Sequence, residues 1–240
     1  MPSDRSAVTL AVSTVVFALR PDPATGALTL WLPLVRRIRE PYEGMWALPG
    51  GPLGEDEDLA ASARRTLDVT TGLQPHYLEQ LYCFGDVDRS PSQRVVSVVY
   101  WTLVRADEDA SALERPGAEN VEWFAADDVA THPGRLAFDH TTILAYALDR
   151  LRAKITYSPI AHAFLPAEFT LAELRAVYEG VLRRPLDPAN FRRQILAQGT
   201  VEPTGGHREG TRHRPPALYR SNPARSRATL TIPADQEIPS

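Results

Sequence analysis

The chain has 240 residues, 43% of them apolar, which is enough for one large domain or two smaller ones, each with its own core. The lone cysteine, Cys83, excludes an intrachain disulfide and a cysteine-based zinc cluster. No stretch approaches the roughly 18 uninterrupted apolar residues of a membrane span, and no N-terminal segment joins basic residues to a long apolar run, so a cytoplasmic location is expected. The formal net charge of −4 hides a polarity: residues 1–150 carry 13 Lys and Arg against 22 Asp and Glu, whereas 151–240 carry 13 against 8. An acidic half joined to a basic one is expected when the first meets a small molecule or a dimer partner and the second a polyanion.

In chain order, Val8 to Leu19 and Ala27 to Val35 are dense in apolar and β-branched residues, with the turn sequence PDPATG between them, and predict a hairpin. The second run continues through a basic turn, RRIREPYEGM, into Trp46-Ala-Leu-Pro and the pair Gly50-Gly51. Two glycines there either make a tight turn or let the backbone approach a ligand closely. A helix is predicted over 57–71, ended by Gly72. Glu55, Asp56, Glu57 and Asp58 stand at its start, where the helix dipole favours negative charge on structural grounds alone. Strands are predicted at 78–85, at 94–104 (RVVSVVYWTLV, too apolar for a surface strand) and at 120–129, where the chain turns into a short loop. A helix from Thr141 to Arg152 follows, with Ile143, Leu144, Ala147, Leu148 and Leu151 on one stripe. Strands and helices without a regular βαβ rhythm suit an α/β/α sandwich better than a doubly wound sheet.

Beyond Lys154 the texture changes. Ser158-Pro159 and Asp187-Pro188 each set a capping side chain before a proline at the first helical position, and Thr170-Leu-Ala-Glu173 is a capping box. Three short helices are thereby signposted, IAHAFL, LAELRAVYEGVL and ANFRRQIL, followed by a stretch from Gly199 to Pro216 rich in Gly, Arg, His and Pro, and by ALYR as a returning strand. Three helices and a β-wing describe a winged helix-turn-helix. On the third helix Phe191 and Ile195 share the core side, Arg193 points almost opposite, and Asn190 and Arg192 flank it. Arg can read guanine with two hydrogen bonds, Asn and Gln can read adenine, and any of these cations can instead neutralise phosphate. The candidate DNA-contacting set is Asn190, Arg192, Arg193 and Gln194, joined by Arg208, Arg212 and Arg214 of the wing. Lys154 is the only lysine beside 25 arginines, so any side-chain lysine acylation falls there. Its alternative is an ordinary cation in a last helical turn.

The stretch GGPLGEDEDLAASARRTLDVTTGL has the frame of a Nudix box: Gly51, Glu57, Arg65, Leu67, Gly72 and Leu73 fall on its framework positions. Thr66, Val69 and Thr70 stand where that family carries metal-binding glutamates. Magnesium needs anionic oxygen ligands, so two hydroxyls and a valine leave the metal little reason to stay. With the blocks LEQLYCFGDVDRSP, RVVSVVYWTL, YSPIAHAFLPAEFTLAELRAVYEGVLRRPLDPANFRRQIL and PPALYR, the chain resembles the Nudix-related transcriptional regulators, the NrtR family of bacterial repressors of NAD biosynthesis and salvage genes. The resemblance covers about Thr9 to Arg220 and departs at Ser90-Pro-Ser92, where Asp-Pro-Arg is expected.

The resemblance implies an α/β fold, a Nudix-like α/β/α sandwich over 1–154 joined to a winged helix-turn-helix over 155–222; the tail at 223–240, proline-containing and short of large apolar residues, is expected to be disordered. It implies a homodimer on operator DNA, regulated by ADP-ribose or a related nucleotide, and the degenerate box adds the expectation of no cofactor, no metal and no catalytic residues. Candidate effector contacts are Trp46, Gly50 and Gly51, with Arg37, Arg65, Arg89 and Arg94 for phosphate, because guanidinium forks suit phosphate oxygens. Arg65 has a second reading, a salt bridge to Glu55 or Glu57. The alternatives are an active Nudix hydrolase with metal ligands outside the box, such as Asp86, Asp88 or Glu119, and an RNA-binding adaptor. A helical recognition face is poorly suited to the deep major groove of A-form RNA.

Overall fold

The computed structural model describes residues 7–74, 77–105, 120–132, 134–208 and 215–222. The chain forms two compact units, one of Met1–Ala18 with Leu30–Leu148 and one of Leu19–Thr29 with Asp149–Ser240. The expectations for Glu119, Arg212, Arg214 and the tail at 223–240 lie outside the described residues.

The first unit is built on a seven-stranded mixed sheet. Its strands are β1 (Thr9–Pro21), β2 (Leu28–Arg36), β3 (Trp46–Ala47), β4 (Gly50–Pro52), β5 (Glu79–Phe84), β6 (Val95–Val104) and β7 (Val121–Ala125). The path runs β3-β2-β1-β6-β5, with β4 paired to β1 and β7 to β2. β1 and β6 are parallel in a register from Thr9↔Val95 to Ala18↔Val104. A parallel central strand is covered on both faces, which is why β1 is buried continuously from residue 12 to 19.

Strand alternation sorts its side chains. Val12, Val16 and Ala18 pack with Val98, Tyr100 and Val104 of β6 and with Ala63 and Leu67 of helix α1 (Leu59–Thr71). The opposite face carries Thr9, Ala11 and Ser13 and then, further along, the fully buried Val15 and Phe17.

Helix α1 opens two residues later than expected, because Asp58 accepts from the Ala61 amide at 2.7 Å as its N-cap, while Glu57 turns back to the Gly54 amide at 2.8 Å. It closes where Gly72, at φ 71, donates to the Asp68 carbonyl. The strand expected over 120–129 gives way after Ala125 to a short helix, α2 (Ala126–Ala130), which buries Ala126 and Val129. Helix α3 (His140–Ile155) buries all five of its predicted stripe residues.

In the second unit the first signposted helix is a 3-10 helix, Pro159–Phe164, and Ser158 makes no capping hydrogen bond. The proline fits the first turn, but the serine hydroxyl is buried without a partner, so the Ser-Pro pair marks the start without capping it. Helices α4 (Leu171–Leu182) and α5 (Pro188–Gln198) follow. The Thr170–Glu173 capping box is complete, and Asp187 caps α5 by accepting from the Asn190 amide at 2.8 Å.

The wing is β8 (Val201–His207) against β9 (Ala217–Ser221). Phe169 extends it, exchanging two backbone hydrogen bonds with Tyr219 at 2.8 and 2.9 Å. Tyr178 stacks edge-on against Phe191 with centroids 5.4 Å apart, joining α4 to α5. The hairpin tip Leu19–Thr29 belongs to this unit because Gly180 of α4 admits it: a Cβ there would stand 2.7 Å from the Leu28 carbonyl oxygen. Among the described residues no helix is long and apolar enough to cross a membrane.

Candidate functional site

The first unit holds a cavity of about 420 Å³ on the face of the sheet opposite α1. Its floor is the row of small residues Thr9, Ala11 and Ser13 of β1 with Val95 and Ser97 of β6. Larger side chains on this face would fill it, as Val15 and Phe17 do further along β1. β4 runs along one side, with Ser13 paired to Gly50. A Cβ on Gly50 would lie 2.8 Å from both the Ser13 Oγ and the Val12 carbonyl oxygen, so glycine is required there by close approach; a Cβ on Gly51 would meet nothing within 4 Å.

The wall opposite is built from the basic turn and from the segment before α3. Arg37 lays its guanidinium over the Phe138 ring at 4.6 Å and donates to the carbonyls of Pro41 and Arg39 at 2.8 and 3.2 Å. Phe138 (φ 57) and Tyr42 (φ 68) both occupy the left-handed region that large side chains avoid, and their rings meet edge-on at 5.0 Å. Each braces the other's conformation. His140 is buried behind them, and its Nδ1 accepts from the Leu48 amide at 3.0 Å, which makes the ring neutral with its proton on Nε2. Burial is the main reason its pKa is pushed down to about 4. Arg89 lines the cavity too, but forms a two-pronged pair with Asp139 at 2.7 and 2.9 Å, its side chain only 4% exposed. That guanidinium ties the Asp86–Gln93 turn to the start of α3.

On α1 the positions of the missing glutamates point elsewhere. Thr66 is buried and donates to the Ser62 carbonyl at 2.7 Å; Thr70 likewise turns to the Thr66 carbonyl; Val69 is 77% exposed. Both hydroxyls are thus spent on the helix backbone, and Thr66 is buried while Val69 faces solvent. Arg65 grips Glu57 through two hydrogen bonds of 2.6 and 2.8 Å. That pairing, with the Gly54 amide, holds the Glu57 carboxyl down to about 2. Among the described residues no group of three His, Cys, Asp or Glu side chains could hold a metal ion.

Of the seven predicted effector contacts, the fold brings Arg37, Gly50, Gly51 and Arg89 to one cavity. Trp46, Arg65 and Arg94 do not line it: Trp46 stacks edge-on with Phe124 at 5.1 Å, and Arg94 donates to the carbonyls of Gly85, Asp86 and Val95. Sequence reasoning missed Ser13, Ser97, Phe138 and His140. The two serines carried a weak signal, as polar residues in mostly apolar strands, but Thr14 and Thr102 share it and are buried too. Phe138 and His140 carried none, because they reach the cavity only through the turn ahead of α3.

In the second unit α5 buries Phe191 and Ile195 and exposes Arg192 and Arg193, with Asn190 and Gln194 half-buried between them. Arg193 donates to the Asn190 Oδ1 at 2.9 Å. Arg208 pairs with both Glu173 carboxylate oxygens at 2.6 and 2.7 Å, tying the wing strand to the capping box of α4. Lys154 lies half-buried in the last turn of α3.

Residues 10–147 match the NUDIX domain model and residues 161–221 the model of the NrtR DNA-binding winged helix domain. The chain is 34% identical over 189 residues to the ADPR responsive transcriptional repressor NtrR of Acinetobacter baylyi, covering 78% of this chain and 74% of that protein. The chain belongs to the NrtR family. The crystal structure of Shewanella oneidensis NrtR with a 27mer DNA superposes on this NrtR-family chain with a TM-score of 0.76 at 32% identity, covering 92% of this chain and 97% of that one. The NUDIX domain of the same NrtR, crystallised with ADP ribose, aligns at 30% identity with a TM-score of 0.50, covering 63% of this chain and 93% of that domain.

Proposed function

We propose that this NrtR-family chain is a transcriptional repressor of NAD biosynthesis or salvage genes, and that it binds operator DNA through its winged helix and senses ADP-ribose, or a related nucleotide, through its Nudix-type domain. The observation that carries the reading is the pairing, in one chain, of an exposed Arg192-Arg193 face on α5 with a cavity in a domain whose box helix, on the other face of the sheet, carries no metal-binding acids at Thr66, Val69 and Thr70. Similarity to a repressor described as ADPR responsive, and to an NrtR crystallised with DNA, supports it.

The reading assigns effector binding to a domain over 1–154 and DNA binding to 155–222, in a cytoplasmic homodimer whose two α5 helices enter half-sites one turn or a multiple apart. Arg37 is the arginine placed to meet the effector, while Arg89 shapes the cavity through Asp139. The protein is not a hydrolase in this reading, because Thr66, Val69 and Thr70 supply no anionic ligand and magnesium demands such oxygens.

A gel shift on the DNA upstream of its own gene, with and without ADP-ribose, tests the reading alongside a hydrolysis assay on the same nucleotide in magnesium buffer. The expected result is a specific shift that ADP-ribose modulates and no turnover. Turnover without DNA binding would make the chain a Nudix hydrolase, and preferential binding of RNA would make it an adaptor.

A further inference from the structure

The floor of the cavity holds a polar feature that neither the Nudix box nor the arginines account for. Ser13 of β1 and Ser97 of β6 lie 6% and 1% exposed with their Oγ atoms 3.1 Å apart. Either hydroxyl can be the donor in that contact. Whichever donates, the other keeps a hydroxyl proton with no acceptor among the described residues. A hydroxyl proton held at a buried site without an acceptor is unfavourable. Two adjacent strands nevertheless place this pair at the bottom of an open space, with Thr9, Ala11 and Gly50 beside it on the floor and the charged groups Arg37, Arg39, Glu40 and Arg89 among the other lining residues.

We infer that the Ser13–Ser97 pair is a recognition site for a sugar hydroxyl of the bound nucleotide. The pair offers the cavity one O–H donor and unused lone pairs at the same place, which is the complement of another hydroxyl, itself donor and acceptor. A phosphate oxygen only accepts: with the bond between the two serines kept, it would take the one free proton and meet the lone pairs of the other serine. The cations that suit phosphate, Arg37 and Arg39, are on the wall instead. Gly50 completes the site, since any side chain there would strike the Ser13 hydroxyl. The inference rests on the effector reading above and adds to it which part of the ligand goes to the floor.

Calorimetry on the full chain tests it, with ADP-ribose, ribose 5-phosphate and inorganic pyrophosphate titrated into wild type, Ser13→Ala, Ser97→Ala and the double variant, each checked by thermal unfolding. The expected result is an ADP-ribose affinity about tenfold weaker in each single variant, as for loss of one partnered buried hydrogen bond. The double variant should lose little more, because the two hydroxyls act as a unit. Ribose 5-phosphate should weaken in parallel and pyrophosphate should not. Equal weakening of pyrophosphate would overturn the sugar assignment in favour of a phosphate contact. Wild-type affinity in both single variants would overturn the site while leaving the effector reading intact, whereas a wild-type chain that binds no ADP-ribose would remove both.

Discussion

Arg193 donates from Nη2 to the Asn190 Oδ1, 2.9 Å away and three residues back along α5. Asn reads adenine by accepting at Oδ1 and donating from Nδ2 together, so an Asn190 whose Oδ1 serves Arg193 is not placed to do both. Arg193→Ala should therefore weaken operator binding by about 1–3 kcal/mol and relax the preference at one base pair. Asn190→Ala should relax the same base pair by a smaller amount. Operator variants scanned by fluorescence anisotropy check this; loss of preference at two different base pairs would make Asn190 an independent reader.

Glutamates placed singly at positions 66 and 69 should have unequal effects on stability. Thr66 is 5% exposed and bonded to the Ser62 carbonyl, so Thr66→Glu buries a carboxylate and should cost about 2–4 kcal/mol. Val69→Glu, at a position 77% exposed, should fall within about 0.5 kcal/mol of wild type. Urea unfolding of the two variants decides it, and equal losses would contradict the burial pattern.

Acid should unfold the protein partly through the buried His140 and the half-buried His162. His140 and His162 are both pushed down to about 4, by burial above all, while the unfolded chain titrates near 6.5. The unfolded state then binds more protons between those values, so stability is fully present above about pH 6.5 and is lost as the pH falls through about 4. For His140 the contribution is on the order of 3 kcal/mol. His140→Gln keeps an acceptor for the Leu48 amide and does not titrate, so the stability difference between pH 7 and pH 5 should be smaller in the variant than in wild type. An identical pH dependence would assign the acid lability to other groups.

The two glycines of the Gly50-Gly51 pair should separate. Gly50→Ala drives a methyl into the Ser13 hydroxyl and the Val12 carbonyl, and overpacking of this kind should destabilise by about 1–3 kcal/mol. It should also weaken ADP-ribose binding. Gly51→Ala meets open space and should leave the melting temperature within the error of wild type. Equal melting temperatures for the two variants would show that β4 can move away from β1.

What the sequence determined by itself was whatever rests on neighbours in the chain. Periodicity and β-branched runs located β1, β2, β6 and α3 within a few residues; Gly72 ended its helix as an αL cap; Thr170 with Glu173 made the capping box. The loss of the box acids at Thr66, Val69 and Thr70 is a fact of composition and needed no coordinates. The tertiary structure decided which side chains meet across long separations. Four arginines stood together as candidate phosphate contacts, Arg65 with a salt bridge as its second reading, yet Arg65 is occupied by Glu57 eight residues away and Arg89 by Asp139 fifty residues away, while Arg37 is stacked on Phe138 at the cavity wall. A guanidinium's local sequence states its charge; only the fold states which carboxylate or ring lies within 3 to 5 Å to claim it. The same reason hid the Ser13–Ser97 floor: two serines 84 residues apart become one site only because β1 and β6 pair in parallel, in a register that sets Ala11 beside Ser97.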